Sequence, residues 1–271
     1  MGTGVIIPSY QNGFAPRDGE PIYPGSRKGL VFNWHGPLGV TGTTAFDTSG
    51  YDNDGTLTNM DPAADWVMTA NGWALDFGGK DSGNYIQLFR KISMGAVPYT
   101  FSCWADIDNF DEYSGFWGNE YAAGLYSRLV ISKTSGDVLW STDANQFKIF
   151  ANGCLTGRHH YAFVCDGTNW IVYRDGVLFG SQVREIDTTT FYRLGSYGVA
   201  GAFGDSLDGR LDSVAIHDRA LTLSEIQLLY RDEHALTRLA DRRVVATTGG
   251  APPAGTPWLY ARLGSRVIGA A

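Results

Sequence analysis

The sequence predicts an all-β fold carrying one short helix, and three observations predict it. Composition is the first: the 271 residues include 35 Gly, 8 Trp, 14 Tyr and 14 Phe, turn formers and strand-preferring aromatics with few apolar repeats at helical spacing. Period-two runs are the second. The clearest sets Leu211, Ser213 and Ala215 against Asp212, Val214 and Ile216 within GRLDSVAIHDRALTLSEIQLLYR, Gly209 to Arg231. The third is the end of that stretch, where Thr222 and Glu225 stand as N-cap and N3 of a helix bearing Ile226, Leu229 and Tyr230. A chain of this length buries a sizeable core, and length alone leaves one sandwich with extensions and two domains equally open.

From the N-terminus, residues 1–28 hold Pro8, Pro16, Pro21 and Pro24 among glycines and apolar residues such as Val5, Ile6, Ile7 and Tyr10. Proline blocks helix and central strand, so this is an extended arm, lying on its own domain or on a neighbour. GLVFNWHGPL, from Gly29, reads as a buried first strand with Leu30, Phe32 and Trp34 on one face. Phe46 to Asn59 packs five Asp/Asn and two Gly into a loop that returns to strand at Thr56 to Thr58. Ala74 to Leu88 gives two strands about a Gly/Asp turn, and Tyr99 to Asp108 alternates cleanly.

Phe110 to Gly124 is an aromatic and Gly-rich excursion, followed by short strands at Leu129 to Ser132, Val138 to Ser141 and Gln146 to Ala151. His159 to Gln182 is a three-strand meander punctuated by the hairpin dipeptides Asp166-Gly167 and Asp175-Gly176. Phe191 to Gly195 supplies the strand before the opening motif, and the helix is expected to run on to about Asp241. Thr247 to Pro257 is a Gly/Pro linker, and WLYARLGSRVIGAA is a second apolar arm whose exposure something should cover.

Three pieces, FDTSGYDNDGTLTN, ALDFGGKDSGNYIQL and RLDSVAIHDRALTLSEIQLLY, resemble in order and spacing the laminin-G-like domain of the concanavalin A-like jelly-roll superfamily. The resemblance covers roughly residues 29–233. It implies an antiparallel jelly-roll β-sandwich with one short helix after the last strand, flanked by an arm at 1–28 and by a helix end, linker and arm at 234–271. The N-terminal GLV..W and the tail ending SRVIG are also similar to predicted phage proteins. That likeness implies a virion surface or capsid-decorating role, with capsid or other virion subunits and copies of itself as partners.

A net charge of −7 speaks against nucleic acid as the main partner, since phosphate binding needs clustered Lys and Arg. No segment reaches membrane-spanning length and no signal peptide is visible, so the expectation is assembly in a host cytoplasm. Cys103, Cys154 and Cys165 lack metal-ligand spacing; Cys103 and Cys165 fall in apolar strand patterns and read as small buried hydrophobes.

Catalysis is not expected. The superfamily's glucanases carry an E-x-D-x-x-E strand, and the partial match here is Glu185 and Asp187 with Thr190 where the last acid should stand. No G-x-S-x-G elbow, P-loop or dinucleotide fingerprint is present. The Asp47 to Gly55 turn offers oxygens for calcium. By resemblance to family members with a rim calcium, the ligands would be Asp47, Asp52 and Asp54 with Asp212. Asx turns account for the same loop without an ion, and Asp212 has a second role open to it, accepting hydrogen bonds from backbone or Arg219. Apart from calcium no cofactor is expected. For a glycan, the platform would be Tyr113, Phe116, Trp117 and Tyr121 of the excursion, rings that stack on sugars if exposed and cap the sandwich end if not.

Overall fold

The computed structural model describes residues 27–79, 82–95, 97–119, 128–141, 148–183, 189–197 and 206–237. In chain order the strands are β1 (Leu30–His35), β2 (Thr44–Ala45), β3 (Gly55–Thr58), β4 (Trp66–Thr69), β5 (Gly72–Asp76), β6 (Tyr85–Ser93), β7 (Tyr99–Ile107) and β8 (Ser114–Gly118). They continue as β9 (Arg128–Ile131), β10 (Val138–Ser141), β11 (Lys148–Phe150), β12 (Gly157–Cys165), β13 (Asn169–Arg174), β14 (Val177–Val183), β15 (Thr190–Leu194) and β16 (Gly209–His217). One helix, α1 (Leu223–Arg231), follows β16.

The strands form two antiparallel sheets, the jelly-roll sandwich that the sequence implied. Sheet one runs β14-β13-β12-β7-β16-β5-β4, with β1 also paired to β16; sheet two runs β11-β10-β9-β8-β15-β6-β3-β2. Register explains the core. In sheet one Val172, Phe163, Phe101, Ile216 and Phe32 lie opposite one another across five strands, and all are fully buried. In sheet two the matching row is Leu57, Ile86, Leu194, Trp117 and Leu129. Cross-strand partners share a face, so the two rows meet in the middle. Trp117 sits 4.5 Å from Phe101 and 5.9 Å from Trp140, centroid to centroid.

Within the excursion, Ser114–Gly118 is an interior strand of sheet two and part of the sandwich. Its glycines hid it from a β-propensity reading, and they have a use. A Cβ on Gly118 would lie 2.1 Å from the Tyr197 carbonyl oxygen, and one on Gly115 would lie 2.4 Å from the Tyr197 nitrogen. Tyr197 backbone crosses directly over this strand, which a side chain would prevent.

The helix is capped as its sequence predicts. Glu225 N donates to Thr222 Oγ1 at 3.4 Å, and Thr222 N donates to Glu225 Oε2 at 2.8 Å. Arg219 grips the same carboxylate at 2.6 Å, and chiefly for that reason Glu225 is held down to about 2. Leu221, Ile226 and Leu229 pack on Ala162, Val164, Ala215 and Leu30 of sheet one's outer face. The helix does not reach Asp241. It stops at Arg231, Asp232 turns extended at φ −136°, and Ala235 and Leu236 return to the same apolar patch. Continuing the helix would carry those two residues away from the sheet, and their burial favours the break.

Arg27 reaches the Leu236 carbonyl and donates to Thr48 O at 3.1 Å, so the packed body runs from Arg27 to Thr237. The remaining arm residues, 1–26 and 238–271, lie outside the described residues. All three cysteines are buried, as expected for Cys103 and Cys165.

Candidate functional site

Two polar arrangements stand out, one on the outer face of each sheet. On sheet one, Arg158 of β12 lies beneath the turn after α1. Its Nε donates to Asp212 Oδ2 at 2.6 Å, its Nη2 bonds Glu233, and its guanidinium sits 4.0 Å from the Trp104 ring centroid. His35 and His234 share a 2.7 Å hydrogen bond. Beside them, His35, His160, Asn33, Ser102, Trp104 and Glu233 border a cavity of about 20 Å³, room for about one water molecule. Burial pushes His160 and His35 each down to about 4, with His234 and Arg158 lowering His35 further. Asp212 is raised to about 6, because burial outweighs the favourable Arg158 charge. This is a polar bracket between sheet and chain end, with room for water rather than for an organic ligand.

The outer face of sheet two is exposed along β6 from Gln87 onward and partly at Tyr192 and Arg193 of β15, while the Tyr197 backbone covers β8. Along β6 the alternation that sends Ile86 and Leu88 inward turns Tyr85, Gln87 and Phe89 outward, and Phe89 is 73% exposed. A cross-strand row runs Thr56, Gln87, Arg193, Gly118, Arg128 over β3, β6, β15, β8 and β9. A shift of register between Phe191 and Arg193 lets Tyr192 join Arg193 on this side, where Gln87 Nε2 donates to the Tyr192 carbonyl at 3.1 Å. Three cations each stand over a tyrosine: Arg193 over Tyr85 at 4.5 Å, Lys91 over Tyr192 at 4.7 Å and Arg128 over Tyr197 at 5.8 Å. Such pairs keep aromatic planes and charged heads side by side at a wet surface.

At the β2–β3 edge the Asp47 to Asp54 loop is fixed to this face, because Phe89 N donates to Asp54 O and Arg90 N to Asn53 Oδ1, both at 2.8 Å. The loop exposes Phe46 and Tyr51 beside it. Inside the loop, Asp47 Oδ1 accepts from Asn33 N and Ser49 N, and Oδ2 accepts from Ser49 Oγ and Asn53 N. Asp54 Oδ1 accepts from Asp47 N at 2.8 Å, and Asp52 takes a left-handed φ of 52°.

The four aspartates are thus placed differently. Asp47, Asp52 and Asp54 share the loop, with Asp47 and Asp54 engaged by backbone donors, while Asp212 belongs to Arg158 rather than to the loop or to Arg219. As folded, this donor set does not fit a calcium ion. Among the described residues no cluster of three or more His, Cys, Asp or Glu is arranged to hold a metal.

The expected aromatic platform is corrected in part. Phe116 and Trp117 are fully buried, since β8 carries them into the core, and a ring without exposed faces cannot stack on a sugar. Tyr113 is 36% exposed under Lys133, at 5.7 Å. Tyr121 lies outside the described residues, as do Glu185 and Asp187. Sequence reading missed Tyr85, Phe89, Tyr192 and Arg193. The signal was the YIQLF alternation, in which Ile86 and Leu88 take the core and leave Gln87 and Phe89 outside.

A family model for the concanavalin A-like lectin/glucanases superfamily matches residues 78–227. Among solved structures, Trypanosoma rangeli sialidase in complex with sialic acid matches with a TM-score of 0.57 at 16% identity, over 77% of this chain and 33% of that one. Domain 4 of AbnA, an extracellular arabinanase from Geobacillus stearothermophilus, in complex with arabinotriose, matches at 0.56 and 17%, over 74% of this chain and 98% of that domain. The binding domain of Paraclostridial Mosquitocidal Protein 1 matches at 0.50 and 14%, over 76% and 52%. At these identities the likeness establishes the fold, and the chain spans about a third of the sialidases it matches. No curated protein matches the sequence.

Proposed function

The chain belongs to the concanavalin A-like lectin/glucanase superfamily, and from that premise we propose that it is a non-catalytic carbohydrate-binding module whose sugar surface is the outer face of sheet two. The observation that carries this reading is the combination of Phe89 and Tyr192 with Gln87 and Arg193 on one hydrogen-bonded face. Rings stack on the apolar faces of sugars, and amide and guanidinium groups bond hydroxyls between them. Glycoside hydrolysis by paired carboxylates needs two acids about the scissile bond. None of the eight strands of this sheet contains Asp or Glu.

Affinity electrophoresis through gels cast with a panel of neutral and acidic polysaccharides tests the reading. At least one polymer is expected to retard the protein, and Phe89→Ala with Tyr192→Ala to abolish most of the retardation while the melting temperature stays nearly constant. Free migration through every gel would refute it.

The finer proposal places this module on a virion surface, held to neighbouring subunits by the arm residues that flank the packed body of 27–237. Its support is the resemblance of the chain ends to phage proteins. The solution mass of the full chain beside residues 27–243, which keep the buried Arg27, tests it. A defined oligomer reduced to monomer by trimming supports assembly through the arms, and an unchanged mass removes it.

A further inference from the structure

Charge is distributed unevenly between the two sheets. The strands of sheet two place Arg90, Lys91, Arg128 and Arg193 on the sheet and contain no acid, in a chain whose net charge is −7. Sheet one, by contrast, places Asp76, Asp106 and Asp212 in its strands beside Arg158, Arg174 and Arg210. A solubilising surface would mix signs, as sheet one does. From this asymmetry we infer that the ligand of sheet two is an acidic polysaccharide bearing repeated carboxylates, an inference that rests on the glycan-binding reading of this face.

The arrangement selects charge on a polymer. Arg193 and Arg128 occupy the same cross-strand row with Gly118 between them, so their Cα atoms stand two strand spacings apart, roughly 10 Å. The Tyr197 backbone covers Gly118 between them, so a polymer reaches Arg193 from the β6 side, where Lys91 stands over Tyr192. Arg193 is partly buried against Tyr85, and its Nε has no hydrogen-bond partner among the described residues. Guanidinium presents paired N–H donors whose geometry matches a carboxylate, and holding it over a ring reduces the ordering cost of that contact. Phe89, exposed beside these charges, offers an apolar plane for a sugar ring. The loop acids Asp47, Asp52 and Asp54 stand at the β2–β3 edge, beyond β6 and β3 from Arg193.

The test is calorimetric titration of the full chain with polygalacturonate, alginate and hyaluronan, each beside its carboxyl-reduced form, with dextran sulfate and single-stranded DNA as further polyanions. At least one native polymer is expected to bind at least tenfold tighter than its reduced form and than either other polyanion, with affinity falling as salt rises. Arg193→Gln should weaken binding about tenfold and Arg193→Lys nearly as much, because lysine keeps the charge and loses the fork. Equal binding of native and reduced forms, or of neutral glycans alone, would overturn the inference and leave the glycan-binding face intact. Binding to no polysaccharide would remove both. Tighter binding to DNA or dextran sulfate would replace carboxylate recognition by general anion attraction.

Discussion

Replacing Arg158 by Met is expected to cost about 3–5 kcal/mol of stability, the usual consequence of removing one partner from a buried ion cluster. Asp212 is 7% exposed at its side chain and Glu233 is 22% exposed, and both direct an oxygen at Arg158. Without the guanidinium two carboxylates face each other beneath the α1 turn, and Trp104 loses the cation on its ring. Urea denaturation of Arg158→Met beside wild type measures the loss. Adding Asp212→Leu and Glu233→Leu to that variant should recover much of it, since the stranded charges leave as well. A single-variant loss below about 1 kcal/mol would mean that the cluster is solvated and contributes as little as a surface pair.

Acidification should weaken the same bracket. His35 and His160 titrate near 4 in the fold and about 6.5 unfolded, so the unfolded chain binds more protons between those values. Stability is therefore full above about pH 6.5 and falls as pH drops toward 4, by on the order of 3 kcal/mol for each imidazole at most. Asp212 works in the opposite sense. Its folded value near 6 exceeds the unfolded one near 3.8, so the folded protein gains stability on acidification through that window, offsetting about one imidazole. Glu225, held near 2, adds a further loss below about pH 4.5, reduced by its exposure to solvent. The net expectation is a fall of a few kcal/mol between pH 7 and 4, measured as urea midpoints at half-unit steps. His160→Gln should flatten the slope between pH 6 and 4, and an unchanged slope would show that His160 charges freely in the fold.

Much of this architecture was legible in the residues. The capping box at Thr222 and Glu225, the Asp175-Gly176 hairpin and the Phe101, Cys103, Ala105 alternation are local signals, and local signals survive without knowledge of partners. What was not legible depends on pairing. Ser114–Gly118 reads as a loop because its glycines make room for Tyr197, a contact some eighty residues away in sequence. Trp117 looked like a binding ring for the same reason, since strand status turns it inward. The helix end was misjudged because burial of Ala235 and Leu236 overrode a sequence compatible with helix.

The sheet-two face is the clearest case. Tyr85, Gln87, Tyr192 and Arg193 come from strands separated by about a hundred residues, and their common side follows from the register of β6 with β15. The charge asymmetry becomes visible only when strands are sorted by sheet. The Asx-rich loop, by contrast, was correctly located, and its Asp47 hydrogen bonds supply the turn-forming role that its letters allow.

The claim that sheet two carries the sugar site is tested most directly by NMR titration of the isotopically labelled protein with whichever polysaccharide retards it most. The account predicts that shift changes gather at Tyr85 to Phe89, Tyr192, Arg193, Arg128 and Tyr197, with α1 and the Arg158 bracket silent. Changes gathered on α1 or the outer face of sheet one, with the Arg193 row silent, would contradict it.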